Sequence, residues 1–298
     1  MKLKLVYLLF LLLVNGDVHS EVKIDFENVP LYTYFDAEGS KQLPAYIAKE
    51  TDDSQIGELN IQYLGGDWLK RNAKITVDPQ DPTNKVLKFT VNEANCCNDQ
   101  KGRIQLNAYD LENSKQIEYQ VDMYLPEEMR LLTEYPGELN FFTISEWWNN
   151  NGWSAEYPFR ISVNIVKKDS SKGSPLVFEV RSQIKREELD SKWQGNIWHE
   201  KNESVQIPFG KWFTLKYAMK EGDKETGHFS LKLVDDQKVE HTVFDVTNWT
   251  HHPDNPNPDG LSNLNPIKLY TSYRFINYMV YRQKYIQVYW DNLIFTKI

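Results

Sequence analysis

Short runs in which apolar and polar residues alternate, broken at short intervals by Pro, Gly, Asn and Asp, dominate this chain. In Gly102-Arg103-Ile104-Gln105-Leu106-Asn107-Ala108-Tyr109, Arg103, Gln105, Asn107 and Tyr109 share one face of a strand, and Ile104, Leu106 and Ala108 share the other. The pattern recurs in 159–165, where Arg160, Ser162 and Asn164 oppose four apolar residues, and in 176–185, where Glu179, Arg181, Gln183 and Lys185 fall on one side. The same signal predicts strands at 22–27, 73–77, 86–91, 103–109, 116–124, 138–146, 159–166, 176–183, 204–207, 212–219, 227–234, 238–243, 266–270 and 286–295. One helix is predicted, over 54–70, interrupted by Gly65-Gly66. Many strands with almost no helix imply an all-β, two-sheet antiparallel β-sandwich. If the polar stripes are neighbours, one sheet face is paved with Arg, Gln, Asn and Lys, groups that suit an acidic sugar. The alternative is an ordinary solvated sheet face.

Two long connections exceed what packing requires. Residues 146–158 hold Trp147, Trp148, Trp153 and Tyr157; these rings form either a loop mini-core or a platform for sugar C–H faces. Residues 247–266 carry His251 and His252 among Pro and Asn, and a third aromatic stretch holds Trp193, Trp198 and His199.

Composition narrows the setting. Lys2 and Lys4 precede an apolar run from Leu5 to Val14, with small residues near position 20, so residues 1–20 read as a signal peptide and 21–298 as one exported carbohydrate-active domain, secreted or periplasmic. No later run is long enough to span a bilayer. The net charge of -8 argues against nucleic acid, and no membrane insertion is expected. A local cluster of Arg and Lys can still bind an acidic ligand. Cys96 and Cys97 are adjacent and read as free or buried thiols, or as a vicinal ring. No metal spacing is evident, His251-His252 lacking a third ligand. Asn202-Glu203-Ser204 and Asn248-Trp249-Thr250 are glycosylation sequons.

Several stretches resemble the concanavalin A-like jelly rolls: Ile24-Asp25-Phe26-Glu27 their first strand, 208–215 followed by 227–231 their G-K-W and G-x-F hairpin, and 289–295 their last strand. Within that group, Arg103-Ile104-Gln105-Leu106 is similar to the R-x-E/Q-L strand of polysaccharide lyases of the alginate-lyase type. Lys268-Leu269-Tyr270-Thr271-Ser272-Tyr273 loosely resembles their Tyr-x-Lys-x-Gly-x-Tyr strand, without its glycine and with the tyrosines out of register. Their Gln-x-His strand is absent; Ser145-Glu146-Trp147 stands at the equivalent place. The E-x-D-x-E signature of glucanases is absent too.

The resemblance implies β-elimination at a uronic acid of an acidic polysaccharide or oligosaccharide, the departing group being a sugar or water. Such chemistry needs groups that neutralise the carboxylate, a base for the C5 proton and an acid for the departing oxygen. Arg103 and Gln105 are the candidates for the first role, and Tyr270 beside Lys268 for the proton transfers, with Tyr273, Tyr278, His199, His251 and His252 as further bases. Asn107, Trp147, Trp148, Trp153, Arg160, Arg181, Gln183, His199 and His252 are candidate substrate-binding residues. No cofactor is expected, although such folds accommodate a structural calcium ion, and a monomer is expected. The rival readings are a non-catalytic carbohydrate-binding protein on the same face, and a glycoside hydrolase using Glu146 and Glu179.

Overall fold

The structure, a computed structural model, describes residues 22–35, 41–42, 48–49, 59–63, 69–94, 101–108, 111, 114–149, 156–185 and 193–297. It is an all-β sandwich of two antiparallel sheets. Sheet I runs β16 (Glu240–Thr247), β15 (His228–Val234), β14 (Trp212–Lys220), β9 (Gln116–Tyr124), β19 (Ile286–Lys297), β7 (Lys85–Val91), β6 (Arg71–Val77) and β2 (Tyr34–Phe35). Beside β19 lie β1 (Val22–Ile24) and then β4 (Ala48–Lys49). Sheet II runs β13 (Trp193–Asn202), β12 (Leu176–Lys185), β11 (Phe159–Lys167), β10 (Phe142–Asn149), β17 (Asn263–Asn265), β8 (Lys101–Ala108), β5 (Leu59–Tyr63) and β3 (Lys41–Gln42). β18 (Lys268–Ser272) also lies between β10 and β8.

The core between the sheets is made by the alternation seen in the sequence. Ile104, Leu106 and Ala108 of β8, Ile161 and Val163 of β11, and Leu87, Phe89, Val288 and Trp290 of sheet I are fully buried, while their sequence neighbours face outward. Burying a Val, Leu, Ile or Phe side chain stabilises by about 1.5–3 kcal/mol, so this double layer drives folding.

Three expectations fail for local reasons. The helix over 54–70 gives way to β5, because Leu59, Ile61 and Tyr63 alternate with Asn60 and Gln62 at period two; 54–58 and 64–68 lie outside the described residues. The strand at 204–207 is replaced by β13, immediately before it, built from the stretch read as an aromatic loop. A helix appears instead at α1 (Tyr273–Val280), which buries Phe275, Ile276, Tyr278 and Met279. It closes one end of the sandwich so tightly that a Cβ on Gly102 would lie 2.5 Å from a methyl of Val91 and 2.9 Å from one of Ile276. The sequon asparagine Asn202 is consumed in a turn: its amide oxygen accepts from Ser204 and Val205, and its Nδ2 donates to Val243 O at 2.8 Å. Cys96 and Cys97 lie outside the described residues.

Asp291, on the outer face of β19, is nearly enclosed and accepts from Asn84 Nδ2 at 3.1 Å. Burial outweighs that bond and pushes its carboxyl up to about 6. From about pH 4 to about pH 6 the folded chain therefore holds a proton that the unfolded chain has released, and stability falls as pH rises through this window. Asp291→Asn removes the effect. The melting midpoint of the variant relative to the parent should climb between pH 4 and pH 6 and then level off; a difference that stays flat with pH would refute this account.

Candidate active site on the outer face of sheet II

Side-chain alternation and strand register together place the polar stripes on one face. Lys268 and Tyr270 of β18 stand opposite Gln105 and Arg103 of β8. Arg160, Ser162 and Asn164 of β11 stand opposite Gln183, Arg181 and Glu179 of β12, and Arg181 is opposite His199 of β13. β10 joins the two halves, and it does so through a bulge between Thr143 and Ser145. The extra residue shifts the phase of the strand, so that Thr143, Glu146 and Trp148 face outward and Ser145 and Trp147 face the core. Ser145 then donates to Asn265 O at 2.8 Å and receives the Tyr119 hydroxyl of sheet I at 2.7 Å. That inter-sheet bond pins both the bulge and β17.

Glu146 is the centre of the face. It is 1% exposed, and it accepts from Arg160 Nη1 at 3.0 Å and from Lys268 Nζ, itself 1% exposed. Burial alone would raise the Glu146 carboxyl, but Lys268, Arg160 and Arg103 outweigh it and hold it below the usual carboxylate range. Burial pulls the Lys268 ammonium below the usual lysine value, opposed by Glu146 and helped by Arg103 and Arg160.

Beneath the surface an amide network carries these charges. Asn265 Oδ1 accepts from Lys268 Nζ at 3.2 Å and from Trp148 Nε1 at 3.3 Å, and Asn265 Nδ2 donates to Asn107 Oδ1 at 2.7 Å. Gln105 Nε2 donates to the same Asn107 oxygen at 2.7 Å and to Gln62 Oε1, which also takes Arg103 Nη2 at 3.3 Å. Asn107 Nδ2 reaches Asn60 at 2.9 Å. Arg103 Nε, Gln105 Oε1 and Asn263 Oδ1 are buried without a hydrogen-bond partner among the described residues, so the floor retains capacity for a ligand or water.

Above this floor lies a cavity of about 120 Å³, walled by Tyr270, Arg160, Arg181, Gln183, Lys101 and Phe141. The Tyr270 ring leans on Phe141, with centroids 5.3 Å apart, and has the ammonium groups of Lys268 and Lys101 at 5.5 and 5.7 Å from its centre. Arg160 forks onto Gln183 Oε1 at 3.0 and 2.8 Å with its guanidinium over the Trp148 ring. Arg181 pairs with Glu179 at 2.6 Å, and His199 Nε2 meets the other oxygen of Glu179 at 2.8 Å. A larger hollow of about 230 Å³ on the outer face of sheet I, bordered by Glu118, Lys216 and Lys232, holds no comparable buried charge cluster.

The structure thus brings Arg103, Gln105, Asn107, Lys268, Tyr270, Trp148, Arg160, Arg181, Gln183 and His199 onto one face. Gln105, Asn107 and Lys268 are 4%, 0% and 1% exposed, so they support the site from below rather than line it. Trp147 is not a sugar platform: the bulge turns it inward, where it packs on Tyr119, Tyr217 and Phe229. His252 is buried in its own turn, its Nδ1 taking the Asp254 N–H at 3.1 Å and its ring against Tyr157. Trp153 lies outside the described residues. Among the described residues no group of three or more His, Cys, Asp and Glu side chains is placed to hold a metal ion. Glu146 entered the sequence reading as one of two glycosidase carboxylates and at the place of the Gln-x-His strand, not as the centre of an ion pair, and Asn60, Gln62, Lys101 and Asn265 were missed. The period-two pattern Asn263-Leu264-Asn265 was the available signal for the last of these.

Among solved structures, the marine PL-14 alginate lyase from Aplysia kurodai matches with a TM-score of 0.50 and 9% identity over 91% of this chain and 100% of its own. The two share a jelly-roll β-sandwich fold. The alginate lyase Aly36B (TM-score 0.48, 13% identity, 94% and 97% covered) and the endo-β-1,4-glucuronan lyase from the fungus Trichoderma reesei (0.46, 12%, 90% and 96%) also match. At such identities the likeness is one of architecture. No family model matches the chain, and no curated protein matches it.

Removing one partner of a buried ion pair leaves a stranded charge, which typically costs about 3–5 kcal/mol. Arg160 Nη1 stays 3.0 Å from Glu146, so Lys268→Met should lower unfolding free energy by up to that much in denaturant titrations. Adding Glu146→Gln should recover part of the loss, with a coupling of about 0.5–3 kcal/mol. Strictly additive losses would mean that the two charges do not act as a unit.

Proposed function

We propose that this protein is a polysaccharide lyase that performs β-elimination at a uronic acid, with Tyr270 as the proton-transfer group. The observation that carries the reading is a tyrosine at the wall of a cavity lined by the cations Arg160, Arg181 and Lys101, the amides Gln183 and Asn164 and the hydroxyls of Thr143 and Ser162, over the buried Glu146 carboxylate and its cations. A uronate entering it meets Arg160 and Arg181 at the wall and Arg103 beside Tyr270. Guanidinium groups bind a carboxylate in a fixed fork geometry and withdraw charge from it, which acidifies the C5 proton. Tyr270, once ionised, takes that proton; the C4–O bond breaks as the C4–C5 double bond forms, and the proton passes to the departing oxygen. With a sugar as leaving group the chain is cut, and with water the product is a dehydrated sugar.

Glycoside hydrolysis fits the site poorly. It requires a carboxylic acid with a raised proton affinity, whereas Glu146 is held below the usual range and Glu179 is tied to Arg181 and His199. Export by residues 1–20 belongs to the same proposal; those residues lie outside the described part. Among the described residues no helix is long and apolar enough to cross a membrane.

Incubation with alginate and with polyglucuronate should produce the ultraviolet absorbance of an unsaturated uronate. Tyr270→Phe should reduce that rate by about 10²–10⁴-fold, the usual worth of a positioned acid–base group, with an unchanged circular dichroism melt. Binding without new absorbance in the parent protein would make it a carbohydrate-binding protein; full activity in Tyr270→Phe would remove that residue from the chemistry.

A further inference from the structure

The outer face of sheet I, on the opposite side of the sandwich from the candidate active site, carries one transverse row that elimination does not use. Register sets Tyr34 opposite Lys74, Lys74 opposite Lys88, Lys88 opposite Tyr289, Tyr289 opposite Tyr124, and Tyr124 opposite Trp212. The flanking residues Phe35, Ala73, Leu87, Val288, Met123 and Phe213 are buried in the core, so the row faces outward. Tyr34 is 46% exposed and the other five are half-buried. Six strands at ~4.8 Å spacing make a track of about 24 Å.

Two features of the row point to a ligand. The first is charge. Lys74 and Lys88 stand directly opposite each other, and like charges so placed cost stability. Among the described residues neither has a carboxylate at ion-pairing distance. Glu128 bears on Lys88, Tyr289 and Tyr124 while its carboxylate takes the Gln287 amide at 2.5 Å, and Asp78 accepts from Trp212 Nε1 at 2.9 Å. Carboxylates that suit sugar hydroxyls thus border the ring end of the row, and its positive charge is confined to the lysine end. Burial, and then Lys74, draw the Lys88 ammonium down to about 8. An anion laid across the two lysines would relieve this repulsion.

The second feature is ring surface. Lys88 sits 4.9 Å from the Tyr289 ring centre and Lys74 5.6 Å from that of Tyr34. Tyr124 meets Tyr289 edge-on at 5.6 Å and Trp212 at 5.5 Å. A contiguous run of aromatic surface on the water side of a sheet marks a place where a ligand or partner packs. Rings beside cations form the surface that sugars bearing carboxylates fit.

We propose that this row is a second carbohydrate-binding surface, which takes a chain of an acidic polysaccharide with its carboxylates on the Lys74–Lys88 pair and its sugar faces on Tyr289, Tyr124 and Trp212. The choice of a uronate polymer rests on the elimination reading, whereas the row itself stands apart from it. Such a surface holds the protein on a polymer while the opposite face acts.

Affinity electrophoresis through gels containing alginate, polyglucuronate or neutral hydroxyethyl cellulose tests this, in the parent and in an Arg181→Ala background that weakens the cleft. In both backgrounds Lys74→Ala with Lys88→Ala should weaken retention by the two acidic polymers roughly five- to tenfold, the size that two exposed charge contacts supply. Trp212→Ala should weaken it as well, and the neutral polymer should retain none of the proteins strongly. Retention that the lysine double variant leaves unchanged, equal retention by the neutral polymer, or no retention of the parent by either acidic polymer would overturn the proposal. Retention does not require turnover, so a protein that binds through the row but yields no unsaturated product would refute the elimination reading alone.

Discussion

A carboxylate buried beneath a sheet face is tolerable only if cations meet it there, and Glu146 meets two. Desolvating one such ion costs several kcal/mol even after relaxation, and the pair repays it only with good geometry and satisfied remaining valences. Lys268 and Arg160 supply the charge, Asn265 takes a second donor of Lys268, and Gln183 takes two further donors of Arg160. Two cations around one anion, with Arg103 close by, leave an excess of positive charge just under the surface. A uronate entering from above completes the count.

Much of the surrounding structure serves to make that arrangement hold. The β10 bulge turns Glu146 outward, Ser145 fixes the bulge by bridging Tyr119 and the Asn265 carbonyl, and Asn265 in turn holds Lys268 and Asn107. α1 packs behind β8 against Gly102 and closes the end of the sandwich just after β18, the strand that carries Tyr270. The mutual bonds of this network hold its members in place, while Arg103 Nε, Gln105 Oε1 and Asn263 Oδ1 stay open to a ligand or water.

Net charge and local charge point in opposite directions here. The chain as a whole carries -8, yet the cleft on sheet II and the lysine pair on sheet I are both cationic. Over distances beyond about 8–10 Å, salt screens the negative total, so a ligand close to either face responds mainly to the local field. An acidic polymer is therefore compatible with an acidic protein.

The sequence by itself determined the sandwich and most of the polar face. Period-two alternation in 102–108, 159–165 and 176–185 decides which residues enter the core, because a strand offers only two sides. Arg103, Tyr270, Arg160, Arg181 and Gln183 were therefore legible as surface groups of sheets. Three things were decided by tertiary structure. The bulge inverted the phase of β10, taking Trp147 into the core and bringing out Glu146, and no periodicity announces one extra residue. The pairing of β18 with both β8 and β10 joined stripes more than a hundred residues apart and buried Lys268 against Glu146. The row from Tyr34 to Trp212 exists only in the register of six strands, since each contributes one residue and none shows a pattern alone. Alternation is a local property of the chain, whereas register is a property of strands that meet only after folding.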